Sequence, residues 1–374
     1  MGQPTPDQPG SSDTNSEPRR GGSVLGRLAA RALDRAFVAM VRAQGVRGRR
    51  RNRAESLGHE RRVALLGTLA RRIDERLAGS GGEIFRSPQP IAPEAASVRA
   101  LPDGGAVQDI TWPSDYHAWL PEIDERYRRH TENLRGAARL LLHAEPRPAA
   151  ILLHGYMAGQ YRVEERMWPV SWLYRSGLDL ALFVLPLHGV RAIRGRSGPP
   201  PFPSSDPRFT NEGFRHAVGD LRDLCLWLRE RGHPAVGLMG MSLGGYTTAL
   251  AATVEAQLAF AVPMIPLGAL ADFARDQGRL GSDPAQAAEE HRCLDAVHRV
   301  VSPLHRPPVV APERMLVVAG ELDGVTPLRH ARRLAAHFGA PLEIFPGGHL
   351  LQLGRGASFR RVRNMLQGLE VLPR

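Results

Sequence analysis

Gly240-Met241-Ser242-Leu243-Gly244 sets a serine between two glycines, directly after an apolar run at 235–239 and directly before a stretch that reads as a helix from Leu243. That context predicts a nucleophile elbow. A sharp strand-to-helix turn lifts the hydroxyl out of the backbone, and the glycines let neighbouring chains pass closely. The helix N-terminus that follows favours developing negative charge. A serine hydroxyl attacks an acyl carbon only when a base accepts its proton and a carboxylate holds that base in place. Asp323 lies in Gly320-Glu321-Leu322-Asp323-Gly324-Val325-Thr326-Pro327, after the apolar run 315–319. His349 ends Pro346-Gly347-Gly348-His349, after the run 342–345. Each follows the C-terminal end of an expected strand, so both are expected on the rim that carries Ser242. Glu321 is the nearest rival acid, whereas His330 and His337 fall inside an expected helix at 328–338.

The tetrahedral intermediate of acyl transfer needs two backbone donors for its oxyanion. The amide of Leu243, next after the serine, is the first candidate. The second should come from His154-Gly155-Tyr156-Met157-Ala158-Gly159, which follows the run 149–153. Tyr156 is the expected donor, with Met157 the next choice. Met157 and Met241 are expected to line the substrate pocket, and His154 to hold its loop rather than to act as a base.

Positioning these residues requires a sheet. Apolar runs at 138–143, 149–153, 180–185, 235–239, 258–264, 315–319 and 342–345 alternate with helical stretches at 164–176, 212–231, 243–255, 328–338 and 359–369. Several runs are apolar throughout, as strands covered on both faces must be. The expected fold class is therefore α/β, a doubly wound and mostly parallel sheet. A helical insertion at about 267–312 is expected to cap it. Residues 1–22 have almost nothing to bury and are expected to form a disordered tail. Residues 23–95 are expected to form a basic amphipathic helical extension, and 96–374 the catalytic domain. In the first helix of that extension Leu25, Leu28, Ala29, Ala32, Leu33, Ala36, Phe37, Met40 and Val41 form the apolar stripe, with Arg27, Arg31, Asp34 and Arg42 off it. In the second helix Val63, Leu66, Leu69, Ile73 and Leu77 share one side, after a basic run at 47–53. Both helices can pack on the catalytic domain, or lie on an anionic lipid surface as a peripheral membrane contact.

The formal charge of +11 invites a nucleic-acid partner, but all 49 basic residues are arginine, a bias that runs along the whole chain. Nucleic acid is not the expected partner, although residues 1–90 hold 17 arginines against 9 acidic residues. Without lysine there is no phosphate-loop lysine, Schiff base or Ser-Lys dyad. No run of about 18 apolar residues is present to cross a bilayer. The first residues lack the basic and apolar regions of a secretory signal, so a cytoplasmic location is expected. Cys225 and Cys293 make no disulfide framework. His291, Cys293, His298 and His305 cluster in sequence without a zinc-like spacing, and no dinucleotide motif is found, so neither metal nor cofactor is expected.

The strand-His154-Gly155 loop, the elbow at 240–244, the Asp323 loop ending in Pro327, and Gly348-His349 resemble the α/β-hydrolase superfamily in order and spacing, over about residues 105–374. Pro186-Leu187-His188-Gly189 is similar to a Pro-Gly-His-Gly turn of that superfamily, with Leu187 where its first glycine stands. The N-terminal helices, Gly189-Val190-Arg191 and the elbow through Gly245 also resemble the α/β-hydrolase-domain-containing protein 18 group. The resemblance implies a cofactor-independent serine hydrolase acting on an ester, thioester or amide, or an acyltransferase. The expectation is a carboxylic-ester hydrolase with a small-molecule or lipid-like acyl substrate. A peptidase, thioesterase or acyltransferase would use the same residues. A non-catalytic scaffold acting through its arginine-rich arm is the alternative of another kind.

Overall fold

A computed structural model describes residues 23–51, 58–79 and 83–374, and of 41–51 the backbone only. The expected tail at 1–22 and the side chains of the basic run at 47–53 lie outside the described residues. Helices α1 (Val24–Arg51) and α2 (His59–Gly79) precede strands β1 (Glu94–Ala100) and β2 (Ala106–Pro113). Then come α3 (Asp124–Arg128), β3 (Arg135–Leu142), β4 (Ala149–Leu153), α4 (Tyr161–Met167), α5 (Val170–Arg175) and β5 (Asp179–Phe183). The rest is α6 (Pro207–Glu230), β6 (Val236–Met241), α7 (Leu243–Ala251), β7 (Ala261–Met264), α8 (Leu270–Asp276), α9 (Pro284–His298), β8 (Val317–Gly320), α10 (Leu328–Phe338), β9 (Leu342–Phe345) and α11 (Gly356–Gly368).

The sheet runs β1-β2-β3-β5-β4-β6-β7-β8-β9. β1, β2 and β3 pair antiparallel down to β5, and every pair from β5 to β9 is parallel. β4 shows why its residues read as one apolar run. Ile151 and Leu153 enter the core beneath α6 and α7, while Ala150 and Leu152 enter the core beneath α5 and α11. A strand covered on both faces has no polar side to alternate with.

Helix ends differ from expectation for local reasons. α6 begins at Pro207 because Asp206 accepts the Arg208 amide at 3.1 Å and caps it. The single helix expected at 164–176 is two, because Pro169 has no amide to donate and stands between α4 and α5. The antiparallel strands β1 and β2 were not expected. Every residue of β1 is exposed, so it carries no hydrophobic signal.

Between β7 and β8, α8 and α9 occupy the expected insertion, and Asp283 caps α9 by accepting the amides of Ala285 and Gln286. α2 lies along α9, burying Leu66 and Ile73. His59 and Arg62 reach Glu290 of α9 at 3.1 and 2.7 Å. Burying a side chain of that size contributes about 1.5–3 kcal/mol.

α1 differs more. Among its described side chains the buried ones are Ala30 and Asp34, while Leu25, Leu28, Leu33 and Met40 of the apolar stripe are exposed. The helix docks by an edge expected to be polar and turns most of the stripe outward. Among the described residues no helix is long and apolar enough to cross a membrane.

Candidate active site

β6 delivers Ser242 to the start of α7 with φ 55° and ψ −111°. A positive φ at a non-glycine residue costs on the order of 1–3 kcal/mol and persists only where its surroundings enforce it. They do so here: the Ser242 amide donates to the Met264 carbonyl at 2.9 Å, and its carbonyl accepts the Tyr246 amide at 2.9 Å. The two glycines are required by space. A Cβ on Gly240 would overlap the Gly244 carbonyl, and one on Gly244 would overlap the Leu153 carbonyl.

Asp323 and His349 reach the same rim from the ends of β8 and β9. The Glu321 amide donates to the Phe345 carbonyl at 2.8 Å and the Leu322 amide to the Gly347 carbonyl at 3.0 Å, so the two loops are bound together. Oδ1 of Asp323 accepts the amides of Val325 and Thr326, at 2.9 and 2.7 Å. Its Oδ2 accepts from His349 Nδ1 at 2.7 Å, and His349 Nε2 lies 3.0 Å from Ser242 Oγ. Acid, base and hydroxyl thus form one line, with the ring's two nitrogens facing opposite partners. Asp323 and His349 are buried and Ser242 is partly exposed. Burial opposes a charge on His349, but the charge and hydrogen bond of Asp323 and the charge of Asp34 outweigh it and hold the pKa above the ordinary 6.5.

Glu321, the rival acid, pairs instead with Arg27 of α1 at 3.0 Å. His330 bonds Asp276 at 2.7 Å and His337 the Arg306 carbonyl at 2.9 Å, both away from the serine. His154 donates from Nδ1 to the Gly155 carbonyl at 2.8 Å and accepts the Leu185 amide at Nε2 at 3.0 Å. Burial lowers its pKa to about 3, so it stays neutral and holds its loop. That loop passes over the elbow, where a Cβ on Gly155 would stand 3.6 Å from that of Ser242. Tyr156 follows at the turn, its phenol donating to the Pro200 carbonyl at 3.2 Å. Met157 has φ 64° and is exposed, whereas Met241 is buried beside the serine. Leu187 has φ 62°, a conformation that explains why glycine suits that turn.

The histidines of the insertion point to separate partners: His291 to Asp272 at 2.7 Å, His298 to Asn211 at 2.6 Å and His305 to Asp295 at 3.1 Å. Among the described residues no group of three or more His, Cys, Asp or Glu is arranged to hold a metal ion.

Two residues near the line carried no weight in the sequence reading. The Thr326 hydroxyl donates to the Ile265 carbonyl at 3.0 Å and lies 3.0 Å from Asp323 Oδ2. Asp34 of α1 accepts the amides of Gly324, His349 and Leu350. Asp34 is the only acidic residue in α1, which is the one signal that sets it apart.

A second Ser-His-Asp group was also not foreseen. Ser114 Oγ lies 2.8 Å from His216 Nε2 and donates to Asp220 Oδ1 at 2.5 Å. It lacks the order that activates a serine. Asp220 faces the same ring nitrogen as Ser114, at 3.2 Å, while Nδ1 faces the Tyr127 phenol at 3.2 Å. Arg191 closes the group with an ion pair to Asp220 at 2.8 Å, and all of it is buried. It binds α6 to the loops after β2 and β5.

No protein-family model matches the chain. Two Mycobacterium tuberculosis proteins, each bearing the name "uncharacterized protein", from strains CDC 1551 / Oshkosh and ATCC 25618 / H37Rv, are 33% identical to it over 230 residues. The match takes in 60% of this chain and 55% of each relative, so the chain spans about half the length of the curated relatives it matches. Among solved structures, acetyl xylan esterase 1 from Thermoanaerobacterium sp. JW/SL YS485 superposes with a TM-score of 0.53 at 16% identity, over 80% of this chain and 93% of that one. The acetyl xylan esterase from Paenibacillus sp. R4 gives 0.50 at 15% identity, over 81% and 94%. At these identities the likeness establishes the fold, and the chain has the α/β-hydrolase fold.

Proposed function

We propose that this chain is a cofactor-independent serine hydrolase that cleaves a carboxylic ester through an acyl-enzyme. The observation that carries the reading is the line from Asp323 through His349 to Ser242 on a strained elbow. His349 Nε2 takes the Ser242 proton as Oγ bonds to the acyl carbon. The amides of Leu243 and Tyr156 are assigned to the resulting oxyanion. His349 then returns the proton to the leaving alkoxide as the ester C–O bond breaks. Water repeats the sequence, giving up its proton to His349 and releasing the acid and free Ser242. Met157 and Met241 are assigned to the acyl pocket.

A lipid-like ester, met at an anionic membrane surface facing the cytoplasm, is favoured by α1. Val24 and Leu25 are 74% and 80% exposed, Leu28, Leu33 and Met40 are exposed as well, and Arg31 and Arg35 are exposed along one edge of these residues. Apolar residues edged by arginine suit anionic headgroups. The Leu25→Glu, Leu28→Glu double variant should sediment less with phosphatidylserine vesicles than the unaltered chain. Equal sedimentation would remove the membrane part of the reading.

Fluorophosphonate labelling with peptide mapping tests the hydrolase itself, since the reagent needs an activated serine and no knowledge of the substrate. A single adduct on Ser242, lost in His349→Ala, is expected, and an acyl-ester series would then set chain-length preference. A folded chain that takes no label would sink the reading and leave the scaffold alternative in front.

A further inference from the structure

Asp34 sits on a helix more than 280 residues from the loops it touches, yet none of it is exposed. Its Oδ2 accepts the Gly324 amide at 3.0 Å and the His349 amide at 2.8 Å. Its Oδ1 accepts the Leu350 amide at 3.0 Å. Gly324 is the residue after Asp323. One carboxylate therefore holds the loop of the acid and the loop of the base at once.

Space around it is equally restrictive. A Cβ on Gly348 would stand 2.7 Å from Asp34 Oδ2, and one on Gly324 would stand 3.2 Å from its Cβ. Arg27, two turns earlier on α1, pairs with Glu321 of the acid loop and fixes the helix along the same seam. This docking accounts for the orientation of α1, whose apolar residues face outward so that one carboxylate can face in.

From this geometry we infer that Asp34 is a positioning residue for the reaction, a clamp from the N-terminal helix that sets the distance between Asp323 and His349. The inference rests on the serine-hydrolase reading. Three amide donors satisfy a carboxylate well, whereas an amide side chain offers a single acceptor oxygen. Asp34 also faces His349 as a negative charge. The other charged groups packed around that ring are Asp323 and, further along the acid loop, Glu321 with its partner Arg27. Removing the Asp34 charge should therefore lower the protonation midpoint of His349, while loosening the loops should slow the reaction.

The test is the fluorophosphonate labelling rate of the full chain against pH, for the unaltered protein, Asp34→Asn and Asp34→Glu, with thermal unfolding run alongside. Asp34→Asn should label about tenfold to a hundredfold more slowly on its plateau, the scale of a misplaced catalytic group. Its acid-side midpoint should move to lower pH. Asp34→Glu keeps the charge and changes the reach, so it should lose rate with the midpoint held. Unaltered rate and midpoint in Asp34→Asn would overturn the inference, and so would a slower rate with an unmoved midpoint, which a purely structural contact would produce. If Asp34→Asn does not fold, Asp34→Glu decides, and full-rate labelling overturns the inference. If the unaltered chain takes no label, the hydrolase reading fails separately. The His349 ring titration by NMR, compared with Asp34→Asn, then still tests the clamp, and an identical midpoint overturns it.

Discussion

Nε2 of His349 stands 3.0 Å from Oγ of Ser242, across 107 residues of sequence. The other nitrogen of the ring is taken by Asp323, so any proton that Ser242 gives up has one acceptor. Ser242→Ala and His349→Ala should each lower kcat/KM on a responsive ester by roughly four to six orders of magnitude. The double variant should be no slower than either single one, because the two act as one unit. Additive losses would mean that they work separately.

The pH dependence follows from the same ring. His349 accepts a proton only when neutral, and its pKa lies above the ordinary 6.5. Activity should therefore rise with pH through a midpoint above 6.5, be low below it and reach a plateau on the alkaline side. A profile of kcat/KM against pH checks this, and an acid limb centred below 6.5 contradicts it.

Ser114→Ala separates the two Ser-His-Asp groups. It should leave labelling at Ser242 unchanged, because Ser114 donates to Asp220 and shares one ring nitrogen with it. Stability should fall by about 1–3 kcal/mol as buried Asp220 loses a donor. Chemical denaturation measures that loss, and loss of label in the folded variant would restore this group as a rival site.

Gly240→Ala should destabilise the chain by about 1–3 kcal/mol or more through overlap with the Gly244 carbonyl. Labelling at Ser242 should fall with it. Gly67→Ala is the contrast, since a Cβ there meets nothing within 4 Å in α2 and should stabilise the helix by about 1 kcal/mol. Paired unfolding curves read both, and equal stability of the two variants would refute the steric account of the elbow.

Acid should destabilise the protein through three buried histidines, His154, His188 and His298. Burial lowers His154 to about 3 and His188 and His298 to about 4, below the ordinary 6.5. Below pH 6.5 the unfolded chain takes up protons that these rings refuse in the folded state. Their contribution is present above that pH and is lost as pH falls toward 4. Melting temperatures measured from pH 7 to pH 4 should decline throughout, and a flat profile would contradict the burial assigned to these rings.

The elbow, Asp323 and His349 were legible because local chemistry marks them. A serine at positive φ needs small neighbours, and a loop after an apolar strand needs no long-range contact to be recognised. The inner parallel strands β4 to β8 were legible for a similar reason, since coverage on both faces leaves largely apolar runs. β1 was not, because an exposed edge strand buries no side chain and so writes no hydrophobic pattern.

The group around His216 shows a different limit. Ser114, Arg191 and Asp220 sit on separate elements, and nothing in their spacing says that a folded core will bring them together. Their energy lies in desolvated contacts that exist only after packing.

α1 marks the boundary most sharply. Its sequence determined a helix, an apolar stripe and a lone acid among arginines. Amphipathicity alone would bury the stripe, because apolar burial is the usual driving force for docking a helix. Only the tertiary structure decided which edge faces inward. Three amides in the two loops that carry Asp323 and His349 converge on one point, and a buried carboxylate satisfies all three.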